Sequence, residues 1–163
     1  QENALTFTEK NMNTRAFICL VLLTSAAAAD PNADAKAHSE AFASGLRTGD
    51  VAAVMALYAD DAYVIWPGQG EEAHGKAAIE KLVVDLIASS HGSTPVMKSQ
   101  TVVDLGGGVL AVVGHWQTVG TGPDGVSHTT VVRTSEIIKK VGGKTLYVVD
   151  HASIGVAPPT APN

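Results

Sequence analysis

Apolar positions recur at helical spacing through the first half of the chain and at strand spacing after it. From about Asn32 to Arg47, His38, Phe42 and Leu46 stand at steps of four among several alanines, which predicts a first helix. Gly49-Asp50 interrupts it and Asp50 is placed to cap a second. Val51, Val54, Met55 and Tyr58 then follow at i, i+3, i+4 and i+7, one apolar face of a short helix. A brief extended stretch, Ala62-Tyr63-Val64-Ile65-Trp66, ends at the turn Pro67-Gly68. After Gly75, Ile79, Leu82, Val83 and Leu86 share one face of a third helix, with Glu80, Lys81 and Asp85 on the other.

Beyond residue 94 the period changes. Pro95 to Leu105, Val109 to Gly120, Val126 to Lys140 and Thr145 to Val156 are rich in Val, Thr, Ile and aromatics, the residues that fit a pleated surface. Gly106-Gly107-Gly108, Gly122-Pro123-Asp124-Gly125 and Gly142-Gly143 join them as tight turns, so the four runs predict an antiparallel meander. Helices in one block and strands in another indicate an α+β fold. The sheet has to bury one face, and the three N-terminal helices are the available cover. A sheet curved around them leaves a cavity at its open end, with Gly114 as a candidate bulge or bend point.

The N-terminal residues read differently. After Met12 and Arg15 comes an apolar run from Ala16 to Leu23, then small residues ending in Ala27-Ala28-Ala29. Too short to span a bilayer, this pattern predicts a secretory signal, with residues 1–29 as upstream residues plus signal peptide and Met12 as the start. A periplasmic or secreted location follows, with no membrane association after cleavage. Residues 30–156 would form the domain and 157–163, rich in Pro, a loose tail. Cys19, the single cysteine, lies within the predicted leader, so the domain would have no thiol chemistry and no disulfide. With 45% hydrophobic and 17% charged residues the composition suits one globular core. A net charge of -5 and the scatter of Lys and Arg argue against a nucleic-acid partner.

Three stretches carry a family resemblance. Gly49 to Ala62, with Tyr58-Ala59-Asp60-Asp61-Ala62 at its end, is similar to the second helix and Tyr-x-x-Asp-Ala signature of the nuclear transport factor 2-like superfamily, in its SnoaL-like and ketosteroid isomerase-like branch. His74-Gly75-Lys76-Ala77-Ala78-Ile79 resembles the start of that family's third helix, and Gly143 to Ser153, with Asp150-His151-Ala152-Ser153, its closing strand. The resemblance implies a cone-shaped curved antiparallel sheet packed on three N-terminal helices, the cystatin-like α+β barrel. It also implies a pocket at the wide end and homodimers packed sheet to sheet.

The fold does not by itself set a function. Ketosteroid isomerases use a carboxylate base with a Tyr and a protonated acid that hold the enolate oxygen. The resemblance puts Trp66, Phe42 and a place near Ser135 at those positions, which argues against steroid isomerase activity. His115 and His151 are the candidate acid/base residues, provided their strands point them inward. Adjacent strand residues face opposite ways, so only one of Asp150 and His151 can line the pocket. Arg133 would hold a carboxylate or enolate if it faced the cavity, and would be solvated if it faced out. Trp66, Phe42 and Ser135 complete the expected lining. Asp60-Asp61 reads as a turn or cap after the second helix, and no histidine spacing suggests a metal. The expected function is binding of a small, largely apolar molecule without cofactor or metal. The alternatives are a cofactor-independent lyase, isomerase or cyclase using a pocket His, and a non-catalytic dimeric scaffold.

Overall fold

The structure, a computed structural model, describes residues 30–67, 72–90, 93–121 and 125–155. The predicted leader and the tail lie outside the described residues, as does most of the turn at Gly122-Pro123-Asp124. Helix α1 spans Pro31–Thr48. Asp30 caps its N-terminus by accepting from the Asn32 amide, and Gly49, left-handed at φ 69°, ends it. Helix α2, Val51–Met55, is capped by Asp50, whose side chain accepts from the Ala53 amide. The two helices meet closely at Gly45, where an added Cβ would lie 2.6 Å from Val54 Cγ2.

Tyr58 does not continue the apolar face of α2. It opens strand β1, Tyr58–Ile65, because sheet pairing takes over at Leu57, whose carbonyl accepts from the Tyr147 amide at 2.7 Å. The extended stretch is therefore longer than the sequence predicted, and Asp60 and Asp61 lie within a strand rather than capping a helix. Asp60 pairs instead with Lys76, 2.8 Å away. Strand β2, Ala73–His74, precedes helix α3, Lys76–Ser89. Strands β3 (Thr94–Gly106), β4 (Val109–Thr121), β5 (Ser127–Val141) and β6 (Lys144–Ile154) form the expected meander.

These strands make one six-stranded sheet in the order β2-β1-β6-β5-β4-β3. All neighbouring pairs are antiparallel except β1 and β6, which run in the same direction with Val64 opposite Asp150 and Ile65 opposite His151. The meander thus gains two strands that the sequence reading left out of the sheet, and one of the joints is parallel.

The inner face of the sheet packs on α1 and α3. Tyr58, Val64, Ile79, Val83, Val112, Ile138 and Tyr147 are fully buried there, each worth roughly 1.5–3 kcal/mol relative to exposure. The outer face is open: Tyr63, Ile65, Val103 and Val113 are between 40% and 49% exposed. Bulges interrupt β3 between Met97 and Ser99 and β6 opposite Ile137 and Ile138. Gly114 itself sits in unbroken register with β5, so it is not the bulge. Its role is close approach: a Cβ there would meet Thr134 Oγ1 at 2.5 Å and Trp116 Nε1 at 3.0 Å. Among the described residues no helix is long and apolar enough to cross a membrane.

Candidate binding cavity with a buried carboxyl pair

Between α1, α3 and the inner face of the sheet lies a cavity of about 310 Å³. The C-terminal half of α1 contributes Phe42 and Leu46, and the end of α3 contributes Leu86 and Ile87. Trp66 comes from just past β1, and Trp116, Thr134, Glu136 and Asp150 from the strands. Phe42 organises the aromatic wall, meeting Trp66, Trp116 and Tyr147 edge to face at centroid distances of 6.3, 6.3 and 5.9 Å. Its place on the inward stripe of α1 follows from the four-residue spacing with His38 and Leu46.

Two carboxyls stand in this apolar setting. Glu136 and Asp150 are cross-strand partners on β5 and β6, and each is only 3% exposed. Asp150 Oδ2 accepts from the Tyr58 hydroxyl at 2.6 Å and from Trp66 Nε1 at 3.1 Å. Glu136 Oε2 has no hydrogen-bond partner. Burial, then the charge of Asp150, pushes the Glu136 carboxyl up to about 8, tempered by a hydrogen bond with Thr134. Burial raises Asp150 too, and the two donated bonds together with the charge of nearby His151 work against it. Burial and the neighbouring acids hold the Tyr58 and Tyr147 hydroxyls well above their ordinary value, so both stay neutral. The pair can thus keep a proton near neutral pH, donate it or take it back, or give it up to a cation.

Of the residues singled out in the sequence, Phe42 and Trp66 line the cavity. His115, Arg133, Ser135 and His151 do not: all four are exposed on the outer face of the sheet. There His115 stands opposite Arg133, Ser135 opposite His151, and Ser99 Oγ lies 3.0 Å from His115 Nδ1. The physical reason is the parity of the strands. The inward residues of β4 and β5 are the even-numbered ones from Val112 to Trp116 and from Val132 to Ile138. On β6 the competition between Asp150 and His151 goes to Asp150. Glu136, one residue past the expected acid position, Tyr58 and Trp116 are the site residues the sequence reading missed. A signal for Glu136 did exist, since it is the one acid in the run Thr129 to Ile138.

A further buried polar group lies next to the aromatic wall. His38, on α1, contacts the Tyr147 ring edge-on at 4.2 Å, and its Nε2 has no hydrogen-bond partner. Burial lowers it to about 4, so it is neutral at pH 7. His74 stacks on Tyr63 at 4.1 Å, away from the cavity. Among the described residues no group of three or more His, Cys, Asp or Glu could hold a metal ion.

A helix-covered, curved sheet holding a cavity at one end defines the cystatin-like class of α+β domain, and solved structures agree. A ketosteroid isomerase-like protein from Erwinia carotovora atroseptica superposes with a TM-score of 0.64 at 20% identity, covering 77% of this chain and 96% of that one. A protein with a cystatin-like fold from Caulobacter vibrioides gives 0.67 at 14% identity, over 80% and 92% of the two chains. A nuclear transport factor 2-like protein with a cystatin-like fold from Novosphingobium aromaticivorans gives 0.65 at 17%, over 76% and 81%. At these identities the likeness is one of fold. More particularly, the chain belongs to the SnoaL-like domain family, whose model matches residues 39–147. Comparison with curated protein sequences gave no match.

Proposed function

We propose that this domain binds a small, largely apolar molecule in the cavity, with the molecule's polar end against Glu136 and Asp150. The observation that carries this reading is that Glu136, buried and with its Oε2 unpartnered, lines a mainly apolar, aromatic-walled cavity. A buried polar atom costs free energy unless something bonds to it, and a ligand group would be that partner. Native mass spectrometry of the purified protein tests this. A retained small molecule that is lost when Trp116→Ala opens the aromatic wall supports it. Retention unchanged in that variant argues against the cavity as the site.

A second reading, acid/base catalysis, is favoured by the carboxyl pair. The histidines face outward, so in a lyase, isomerase or cyclase the proton transfers would fall to Glu136, with Asp150 as its partner and Tyr58 positioning Asp150. Exchange of the α-protons of a bound cyclic ketone in D2O, followed by NMR, tests it: exchange as fast with Glu136→Gln as with the wild type would remove the reading.

Two assignments concern the whole protein. The leader-like run from Ala16 to Leu23 supports export to the periplasm or beyond, and full-length protein found only in the cytoplasmic fraction of fractionated cells would count against it. The exposed apolar residues of the outer sheet face support a homodimer packed through that face. A monomeric mass in sedimentation at micromolar concentration would refute it.

A further inference from the structure

The cavity has a charge character opposite to the one Arg133 would have given it. Its described lining carries two acids and no Lys, Arg or His. Both acids are buried and adjacent, and Glu136, with one oxygen unpartnered, shares the cavity lining with Phe42, Trp66 and Trp116. Two carboxyls in such a place repel one another, and buried charge is tolerated where a countercharge meets it. Indole and phenyl rings are attractive to a cation and indifferent or repulsive to an anion. Resting on the binding role given to the cavity above, we propose that its ligand is an organic cation: an ammonium group on an apolar body, the nitrogen seated between Glu136 and Asp150 and the body against Phe42, Trp66 and Trp116.

Among the described residues the surroundings supply no competing countercharge. From β1, Tyr58 faces the pair as a neutral hydroxyl, already committed to Asp150. From β6, Tyr147 is neutral as well, and His38 from α1 stays uncharged behind it at pH 7. α3 and β4 bring no titratable side chain to the cavity. His151 acts on Asp150 from the opposite face of the sheet. Lys140, paired with Asp34, lines a separate hollow with the Gly106-Gly107-Gly108 turn. Among the described residues, an arriving ammonium ion would therefore be the first positive charge inside the cavity. It would donate a hydrogen bond to the Glu136 carboxylate and displace the proton held by the pair, so that binding releases a proton to solvent. An alcohol of the same shape keeps the hydrogen bond and forfeits the ion pair. A carboxylate meets only repulsion.

Three matched probes test this by isothermal titration calorimetry: 1-naphthylmethylamine, 1-naphthylmethanol and 1-naphthoate. The expected result at pH 8 is that the amine binds roughly tenfold or more tightly than the alcohol, with naphthoate weakest. Between pH 6 and 8 the amine's affinity rises by up to about tenfold per unit, and heats in two buffers of different ionisation enthalpy show proton release. Glu136→Gln, with folding checked by circular dichroism, brings the amine-to-alcohol ratio towards one. Should that variant not fold, proton release by the wild type decides. Equal or tighter binding of the alcohol, tightest binding of naphthoate, or amine binding without proton release would each overturn the cation assignment while leaving the cavity as a binding site. Failure of all three probes to bind would overturn both.

Discussion

Asp150 and Glu136 occupy equivalent places on neighbouring strands, yet their surroundings divide the labour between them. Asp150 receives two hydrogen bonds on one oxygen, from Tyr58 and Trp66, and is fixed in place. Glu136 keeps an oxygen unpartnered and its proton to about pH 8. Tyr58 is thus a positioning residue, and its loss should be felt at Asp150. Tyr58→Phe removes a buried charge-assisted bond and is expected to cost about 1–3 kcal/mol in urea unfolding, while pushing Asp150 further towards its protonated form. Carbon-detected NMR titration of the Asp150 carboxyl measures the second effect, and a variant as stable as wild type with an unmoved Asp150 titration would deny the tyrosine this role. In the sequence Asp150 was visible as one of two candidates for the pocket, the other being His151. The proton-transfer chemistry of imidazole favoured the histidine; the direction of the strand, which decides between them, is not written in either residue.

At the scale of the element, the helices and the meander were readable because their apolar spacing is regular, and their ends carry recognisable signals in Asp50 and Gly49. Strand β1 was only half readable. Its first residue, Tyr58, fits the helical period of α2 equally well, and what removes it from the helix is pairing with β6, nearly ninety residues away in sequence. Facing was unreadable for a similar reason. On β5, Val132, Thr134, Glu136 and Ile138 alternate with Val131, Arg133, Ser135 and Ile137, so both faces mix apolar with polar residues and hydrophobicity names neither as inner. Gly114 marks the inner face of β4 by what it lacks. Gly114→Ala would press a methyl group onto Thr134 and the Trp116 indole, which calls for a shift at the cavity wall. The expected cost is about 1–3 kcal/mol in thermal or urea unfolding, with a change in the fluorescence of Trp116. Wild-type stability in that variant would show that the wall yields freely.

The buried titratable groups together shape the stability of the whole molecule against pH. His38 is depressed from 6.5 to about 4 in the fold, so the stability it contributes is present above about pH 6.5 and lost as pH falls towards 4. Glu136 is raised from 4.5 to about 8, so its contribution is full below pH 4.5 and lost as pH rises through 8. Asp150, also raised, contributes stability that is likewise lost as pH rises. Between pH 4.5 and 6.5 the His38 and Glu136 slopes oppose and nearly cancel, which predicts a plateau there, a fall below it and a second fall towards pH 8. Urea midpoints measured from pH 4 to 9 read the curve. His38→Leu should flatten its acid limb and Glu136→Gln its alkaline limb, and a monotonic curve that neither variant changes would contradict the assignment.

The parallel joint between β1 and β6 has a kinetic counterpart. Tyr58 and Trp66 reach Asp150 across 92 and 84 residues of chain, so the inner end of the cavity closes only when the earliest strand and the last one of the described sheet find each other. Such distant partners are slow to meet, and in refolding the indole N–H of Trp66 should gain protection from exchange together with the β6 amides rather than with α1. Ligand capacity would then arrive last, as the final event in the protein's assembly.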